Sequence, residues 1–247
     1  MIIQVIGLAG AGKTALSQAL ASRINATHIN ADKVRAGLNK DLSFSPEDRI
    51  ENARRLGELA RLLEEQIVIV DFICPTEQTR LAFGKPDILV WVDRIDESRF
   101  EDTNKMWQKP TEYDLRIEAG LTIEQEVQLV IDTFGLHDWQ APTTLMLGRY
   151  QPWHEGHQAL WEVARERTSQ VMVAVRDTHG TSEKDPLVFQ EVERRIRQDT
   201  PMAFVVKVPN ITNIVYGRDV GYKIEQVDLG AEIHAISATQ KRKEAGL

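Results

Sequence analysis

Short runs of aliphatic residues alternate with segments of helical periodicity along most of the chain. In the first half, such runs are bounded by polar or glycine-containing segments, which predicts buried strands. These strands are predicted at Ile2–Ile6, Ala26–Ile29, Ile67–Asp71 and Ile88–Val92. Between the second and third strands, apolar residues recur at helical spacing from Ile50 to Leu63, after Ser45 as N-cap and Pro46 at the first helical position.

The second half repeats this alternation after a connector at residues 135–142. Its strands are predicted at Thr144–Leu147, Val171–Val175 and Phe204–Val208, and its helices at Gln158–Arg167 and Pro186–Gln198. Strands that alternate with helices favour a parallel sheet. The pattern therefore predicts an α/β fold in two domains, residues 1–138 and residues 143–247.

Composition narrows the classes of function. The chain has 247 residues, of which 42% are hydrophobic, and this is enough to bury the cores of one or two domains. No apolar stretch is long enough to span a membrane, and Gly7 interrupts the apolar run from Met1 to Leu8, which predicts a strand rather than a signal peptide. The single cysteine, Cys74, is typical of the reducing cytoplasm, where we expect the protein.

The charge is distributed unevenly between the two halves. Residues 1–142 carry 16 basic and 23 acidic side chains, whereas residues 143–247 carry 14 of each. Neither half has the basic excess that binding to a nucleic acid polymer requires. The basic residues near the motifs below are therefore predicted to contact small phosphorylated ligands.

The segment after the first strand has the pattern G-x-x-x-x-G-K-[ST]. A strand precedes it and an alanine-rich helix follows it, which is the context of a phosphate-binding loop. Its backbone N–H groups are predicted to surround ATP phosphates, with Lys13 at the β- and γ-phosphates and the Thr14 hydroxyl on Mg²⁺. The predicted nucleotide contacts in this segment are Gly7, Gly10, Ala11, Gly12, Lys13 and Thr14.

Two histidines lie at a predicted strand-to-helix junction in the sequence LGRYQPWHEGH, from Leu147 to His157. His154 and His157 are three residues apart, so they share a helix face beside the unpaired N–H groups of a helix start, which suit nucleotide phosphates. A second such junction near the C-terminus reads ISATQKR, from Ile236 to Arg242. It supplies hydroxyls and a guanidinium.

These two signatures resemble those of the HxGH nucleotidyltransferase superfamily, G-R-x-Q-P-x-H-x-G-H and ISxTxxR. The resemblance implies that an acceptor oxygen attacks the α-phosphorus of a nucleoside triphosphate while pyrophosphate leaves. It assigns the α- and β-phosphates to His154 and His157. It assigns the β/γ side to Ser237, Thr239 and Arg242, and further contacts with nucleotide or acceptor to Arg149 and Tyr150. Arg218 and Asp219, in a glycine-containing loop between the signatures, and Arg176, just past a strand, are predicted to contact acceptor or nucleoside, with an ordinary polar turn as an equal alternative. The domain is similar to the small cytidylyltransferases, which favours CTP over ATP.

The sequence around Asp32 to Arg55 resembles adenylylsulfate kinase, whose pattern is D-G-D-N-V-R-x-G-L-N-x-D-L-G-F-S-x-x-D-R-x-E-N-x-R-R. The resemblance covers roughly residues 1–95. It implies a P-loop kinase in which Asp32 and Arg35 contact an acceptor nucleotide and Phe44 stacks on its base. Arg49 and Asn52 would hold the phosphate and sugar of that nucleotide.

The chain departs from the kinase pattern in three places. Asn30 replaces the family's first acidic residue, and we expect Asp71, which ends a strand as in a Walker B element, to serve Mg²⁺ or act as the base instead. A strand-end acid that accepts a local N–H is an equal alternative. Cys74 replaces a serine and is predicted to be packed rather than nucleophilic. The family's F-T-G-I-D-D-P-Y-E loop is not found, which argues against adenylylsulfate itself as the acceptor.

A charged segment from Arg94 to Lys105, which includes Arg99, is predicted either to form a lid over ATP or to be a solvated loop.

A nucleotidyltransferase can make the nucleotide-linked compound that an adenylylsulfate-type kinase phosphorylates on its ribose. We therefore expect a bifunctional enzyme that uses ATP, CTP and Mg²⁺, similar to the kinase and cytidylyltransferase pair that builds capsule phosphoramidate. Three alternatives stay open. They are nicotinamide mononucleotide adenylyltransferase fused to ribosylnicotinamide kinase, sulfate activation, and a nucleotide-sensing module with an inactive kinase half. The sequence leaves open whether the chain forms a homo-oligomer.

Overall fold

The computed structural model describes residues 1–63, 66–215, 217–218, 221, 223–230, 236, 238–244 and 246. The chain divides into two compact units, Met1–Gln140 and Ala141–Leu247. Within the described ranges, no helix combines the length and the apolar character that crossing a membrane requires.

The first unit is built on a five-stranded parallel sheet in the order β2-β3-β1-β4-β5. Its strands are β1 (Ile2–Ile6), β2 (Thr27–Asn30), β3 (Val68–Asp71), β4 (Ile88–Asp93) and β5 (Leu115–Glu118). Its helices are α1 (Lys13–Ile24), α2 (Ala31–Ala36), α3 (Pro46–Arg61), α4 (Glu77–Phe83), α5 (Glu101–Met106) and α6 (Ile123–Phe134). Because all pairs are parallel, the carboxyl ends of the strands meet at one edge, where open α/β sheets bind ligands.

Helices cover both faces of this sheet, and its central strands are therefore apolar on both sides. Ile69 of β3 packs in the cluster that contains residues of α1 and α6, whereas its neighbours Val68 and Val70 pack in the cluster that contains residues of α3 and α4. This alternation is what a strand buried on both faces requires. It explains why the strand appears in the sequence as an uninterrupted aliphatic run.

The predicted strands of this unit and its helix α3 are confirmed. The elements that the sequence pattern does not predict are short or lie at the edge of the sheet. Helix α3 begins as predicted, with Pro46 in its first turn and the Ser45 side chain accepting a hydrogen bond from the N–H of Asp48. Strand β5 was not predicted because only Ile117 is buried in it, so it lacks the aliphatic run that marks an inner strand. Helices α2, α4 and α5 have six or seven residues, too few for a clear helical period.

The second unit contains a three-stranded parallel sheet in the order β6-β7-β8. Its strands are β6 (Thr143–Gly148), β7 (Gln170–Arg176) and β8 (Phe204–Val208), and its helices are α7 (Glu155–Arg167), α8 (Phe189–Asp199) and α9 (Ala238–Glu244). One apolar cluster joins Met146 and Val173 of the sheet to Trp161 of α7 and Ile196 of α8. The predicted parallel α/β arrangement is therefore present in this unit as well.

Two helices of the second unit begin elsewhere than predicted. Helix α7 begins at Glu155 because the His154 side chain caps it by accepting a hydrogen bond from the N–H of Gly156 at 3.1 Å. Helix α8 begins only at Phe189, since the N–H of Leu187 donates to Gln151 at 2.9 Å instead of entering a helix. In both cases a side-chain hydrogen bond, rather than the apolar period, sets the boundary.

Candidate active sites

The loop between β1 and α1 has the backbone that a phosphate-binding loop needs. Gly7, Gly10 and Gly12 have φ angles of 148°, 90° and 96°, in the range that favours glycine. A side chain on Gly7 would collide with the carbonyl of Val92. These glycines therefore allow the loop to turn tightly and to follow the end of β4 at close range.

Lys13 bends back over this loop. Its ammonium is buried and donates a hydrogen bond to the carbonyl of Leu8 at 2.8 Å. Burial lowers the pKa of Lys13 to about 8, although the charges of Asp71 and Asp32 oppose the shift. A cation held at low solvation beside the first N–H groups of a helix is suited to an anionic phosphate.

Asp71, at the end of β3, is the centre of a hydrogen-bonded cluster. It is 2% exposed. It accepts hydrogen bonds from the hydroxyl of Thr14 at 2.6 Å, from Nε2 of His28 at 2.5 Å and from Nδ2 of Asn30 at 3.2 Å. Burial alone would raise the pKa of Asp71, but the hydrogen bonds from His28, Thr14 and Asn30 hold it below its usual value. The carboxylate is therefore ionised at neutral pH.

Asn30 serves this cluster as a donor. Besides Asp71, its Nδ2 donates to the hydroxyl of Thr14 at 3.2 Å. Its Oδ1 caps α2 by accepting from the N–H of Lys33 at 3.0 Å. Both ends of the amide are engaged, and the residue paired with Asn30 on the adjacent strand is Asp71.

A cavity of about 570 Å³ opens at this edge of the sheet. Eight of the predicted site residues line it, namely Gly10, Gly12, Lys13, Thr14, Asp32, Phe44, Arg49 and Asp71. Four predicted residues are not among the lining residues: Gly7, Ala11 and Asn52 are buried, and Arg35 is half-buried.

Arg35 and Asn52 are occupied by other parts of the protein. The guanidinium of Arg35 lies 4.7 Å from the centroid of the Phe44 ring and donates to the carbonyl of Ser43 at 2.5 Å. Oδ1 of Asn52 accepts from Asn39 at 2.9 Å in a buried amide pair. Both side chains thus make contacts within the protein, and their direct contact with an acceptor stays a prediction.

On the far side of the cavity, sequence reasoning named Arg99 only as part of a charged lid and did not single out Phe100, Asp102 and Thr103. All four residues line the cavity. Phe44 and Phe100 are 63% and 43% exposed, and Asp102 accepts a hydrogen bond from Arg49 at 2.8 Å. This segment overlaps the predicted charged lid, but its apolar Phe100 is the only signal that could have indicated an acceptor wall.

Only one of the three basic lid candidates, Arg99, lines the cavity. Arg94 forms an ion pair with the fully buried Glu126, and Lys105 pairs with Glu101 at 2.6 Å on the surface.

Cys74 is packed as predicted: it is fully buried, and burial raises the pKa of its thiol to about 12.

In the second unit, the two histidines of LGRYQPWHEGH stack on each other. The centroids of the His154 and His157 rings are 3.8 Å apart. Burial lowers the pKa of His154, and burial together with the neighbouring His154 lowers that of His157 to about 3. Both imidazoles are therefore neutral at pH 7. Since Nδ1 of His154 accepts from Gly156, its proton lies on Nε2, which is free to donate.

The C-terminal signature contacts the histidine loop. Arg242 of α9 donates to the carbonyl of Gln151 at 2.8 Å and to the hydroxyl of Thr239 at 3.1 Å. Lys241 forms an ion pair with Glu155 at 2.9 Å. Two segments separated by about eighty residues of chain are thus held together. Ser237 and Asp219, which were predicted to bind ligands, lie outside the described residues.

The other predicted ligand-binding residues of the second unit differ in their burial and in their contacts. Tyr150 is 5% exposed and packs edge-on against His157 at 5.0 Å, so its side chain lies in the core, and its nucleotide contact stays a prediction. Arg149 pairs loosely with Asp185 at 3.3 Å. Arg176 ends β7, and its buried Nε has no hydrogen-bond partner among the described residues. Arg218 is exposed.

Known proteins match the first unit. The sequence profile of the family described as adenylylsulphate kinase matches residues 1–88. The adenylyl-sulfate kinase of Bacillus licheniformis is 49% identical over 86 residues, which is 32% of this chain and 44% of that protein. The bifunctional enzyme CysN/CysC of Xylella fastidiosa is 42% identical over 86 residues, which is 32% of this chain and 14% of that protein. The chain thus spans less than half the length of these curated relatives.

Among solved structures, the Mycobacterium tuberculosis APS kinase CysC in complex with AMPPNP and APS is 26% identical and has a TM-score of 0.49. The similarity covers 54% of this chain and 96% of that chain.

Proposed function

Starting from the first unit, which is an adenylylsulphate-kinase-like P-loop domain, we propose that this chain is a bifunctional enzyme. The first unit transfers the γ-phosphoryl group of ATP to a ribose hydroxyl of a nucleotide-linked compound. The second unit makes such a compound by moving a nucleotidyl group, with CTP favoured as the donor, onto a small phosphorylated acceptor.

The hydrogen bond between Thr14 and Asp71 carries the kinase proposal. It joins the phosphate-binding loop to the end of β3 at the cavity floor, at 2.6 Å. A hydroxyl and an ionised carboxylate are oxygen ligands of the type that Mg²⁺ prefers. Thr14 would hold the ion directly and Asp71 would hold Thr14. Bound Mg²⁺ would neutralise charge on the β- and γ-phosphates of ATP.

The other residues of the cavity position the two substrates. The N–H groups of the loop and the ammonium of Lys13 hold the phosphates, since phosphoryl transfer depends mainly on positioning and electrostatics. Asp32 is exposed and lines the cavity, so it can accept the proton of the attacking hydroxyl. A new bond forms between that oxygen and the γ-phosphorus, the bond to the bridging oxygen breaks, and ADP leaves.

Phe44 and Phe100 support a nucleotide as the acceptor. Both aromatic rings line the cavity and both are largely exposed, although exposing large apolar side chains costs free energy. An aromatic base placed between them would bury this surface. Contact between these rings and the base does not depend on which group is linked to the nucleotide.

The contact between α9 and the histidine loop supports the transferase proposal. It places the Arg242 guanidinium at the carbonyl of Gln151, three residues before His154. Neutral imidazoles that donate N–H groups beside a helix start can stabilise charge on the α-phosphate. The acceptor oxygen bonds to the α-phosphorus, the bond to the β-phosphate oxygen breaks, and pyrophosphate leaves.

Replacement of Asp71 tests the kinase assignment. We expect Asp71→Asn to lower ADP production by the full-length chain by about 100-fold, because the amide cannot accept the Thr14 proton in the same way. Asp132→Asn, an exposed change on α6, is the matched control and should leave the rate unaltered. If Asp71→Asn and wild type formed ADP at equal rates, Asp71 would have only a local structural role.

A pyrophosphate-release screen tests the transferase assignment and identifies its donor. The full-length chain is incubated with each of the four nucleoside triphosphates and with phosphate or phosphonate acceptors. We expect CTP to give pyrophosphate only when an acceptor is present. Each product is then offered to the same chain with ATP, and ADP formation shows whether the kinase consumes it. No release with any combination would contradict the proposal.

Sulfate activation is the second candidate, because the matched relatives are named adenylyl-sulfate kinases. Adenylylsulfate and the cytidylyl product are compared as acceptors at equal concentration. A higher kcat/KM for adenylylsulfate would favour this candidate. Turnover with either acceptor would exclude a sensing module with an inactive kinase half.

A further inference from the structure

His28 is a polar residue of β2 that neither the loop motif nor the acceptor pattern includes. It is two positions before Asn30, so both side chains lie on the same face of the strand. Both reach the carboxylate of Asp71 on the adjacent strand. The side chains of His28 and Asp71 are 13% and 2% exposed, so little water competes for this contact.

The hydrogen bonds divide between the two oxygens of Asp71. Oδ1 accepts from Nε2 of His28 at 2.5 Å, and Oδ2 accepts from the Thr14 hydroxyl at 2.6 Å. Nδ2 of Asn30 lies 3.2 Å from each oxygen. Because a carboxylate is rigid and planar, a strong hydrogen bond that holds Oδ1 also fixes the direction in which Oδ2 faces Thr14.

The direction of the Thr14 hydroxyl depends on this arrangement. Its proton goes to Asp71, and one of its two lone pairs accepts from Asn30 at 3.2 Å. One lone pair therefore remains for a cation. If the carboxylate rotated, the hydroxyl proton would be free to turn into the cavity and would repel a cation there.

We propose that His28 is a positioning residue of the magnesium–nucleotide site, where its Nε2–H group locks Asp71 and, through Asp71, the Thr14 hydroxyl. This inference rests on the proposed kinase function. The inference goes beyond that function, because it names a residue that does not contact ATP but sets how strongly Mg²⁺ contributes to ATP binding. Groups in such outer positions change metal affinity or activity by about 10- to 100-fold when they are replaced.

The position of the bonding nitrogen in the imidazole suggests two variants of His28 that differ in whether they can keep the hydrogen bond. The contact is made by Nε2, the nitrogen far from the main chain. The amide nitrogen of a glutamine reaches about as far as Nε2, whereas that of an asparagine is one methylene group shorter. We therefore expect His28→Gln to keep the contact and His28→Asn to lose it, although both variants are neutral and polar. Thr27→Val, on the same strand, is the control, because Thr27 bonds Gln66 and not Asp71.

The test is the affinity of the full-length chain for ATP, measured by titration calorimetry with Mg²⁺ and with EDTA. We expect all four proteins to bind ATP equally in EDTA. With Mg²⁺, wild type, His28→Gln and Thr27→Val should gain affinity, and His28→Asn should bind about 10-fold more weakly than they do. Thermal unfolding without nucleotide shows whether each variant is folded.

The outcomes separate this inference from the function on which it rests. Equal gains with Mg²⁺ in His28→Asn and wild type would overturn the role of His28 and leave the kinase proposal intact. If His28→Asn lost as much ATP affinity in EDTA as with Mg²⁺, His28 would have a general structural role, and this result would also overturn the inference. A loss in His28→Gln equal to that in His28→Asn would show that the hydrogen bond is not the cause. Wild-type protein without ATP binding would overturn both proposals.

Discussion

Each of the two units has its candidate phosphate-binding groups at a strand-to-helix junction, but the electrostatics of the two junctions differ. In the first unit, the buried cation Lys13 lies near two carboxylates, Asp71 and Asp32, which are suited to a metal ion. In the second unit, the stacked His154 and His157 are kept neutral by burial. Under the proposed functions, the first site balances charge around Mg²⁺, and the second donates hydrogen bonds to phosphate oxygens.

The difference in electrostatics between the two junctions shows that a helix start determines only that an anion can bind. The chemistry depends on what surrounds it. A buried carboxylate that accepts three side-chain donors stays ionised and can support a cation. The two stacked imidazoles are neutral instead, because burial lowers the pKa of both and the neighbouring His154 adds to the shift of His157.

The largest expected effect comes from removing the cation of the first unit. We expect Lys13→Ala to lower ADP formation by about 1,000-fold, comparable to the loss of other cations that stabilise phosphoryl transfer. Pyrophosphate release should stay within about twofold of wild type, since Lys13 has no part in the second site. The exposed Lys85→Ala is the control. Equal losses in both activities would mean that the two sites are not independent.

The reciprocal change is Arg242→Ala, which removes the guanidinium that contacts Gln151. We expect pyrophosphate release to fall by about 100-fold while ADP formation from a supplied acceptor is unchanged. The neighbouring Lys243 is exposed, and Lys243→Ala should have no effect. Unaltered pyrophosphate release in Arg242→Ala would remove the support for the transferase proposal.

The neutral histidines predict a pH dependence for the stability of the second unit. The pKa of His157 is 6.5 in an unfolded chain and about 3 when folded. The unfolded state therefore binds the extra proton, and the second unit loses stability as the pH falls from 6.5 toward 3. Between pH 6.5 and pH 5 we expect a loss of about 2 kcal/mol in the free energy of unfolding.

Hydrogen exchange of the β7 amides, corrected for the intrinsic rate at each pH, measures this loss locally. His157→Gln should reduce the pH dependence, whereas His179→Gln, at an exposed position of the same unit, should keep it. An unchanged pH dependence in His157→Gln would show that His157 is not the group responsible.

The smallest effect is expected from restoring an acid at position 30. Asn30→Asp would place a second carboxylate about 3 Å from Asp71 and remove the amide donor. We expect an about 10-fold lower ATP affinity with Mg²⁺ rather than a gain. Asn30→Asp combined with Asp71→Asn should recover part of the loss, because only one negative charge remains. A more active single variant would mean that Asn30 limits the enzyme.

The sequence alone determined the features that depend on neighbouring residues. The glycines at positions 7, 10 and 12 are the residues that tolerate the backbone angles of a phosphate-binding loop. Ser45 and Pro46 start a helix because the relevant hydrogen bond spans three residues. The aliphatic runs of the inner strands follow from burial on both faces. These are local or periodic constraints, and they can be seen in a single chain.

The tertiary structure decided which distant groups meet. The order of parallel strands brings His28 and Asn30 to Asp71, a convergence that no spacing in the sequence indicates. Packing also gives Arg35, Asn52 and Tyr150 contacts within the protein that their positions in the sequence do not indicate. Helix α9 reaches the histidine loop by contacts across the fold, since hydrogen bonds depend on distance in space and not along the chain.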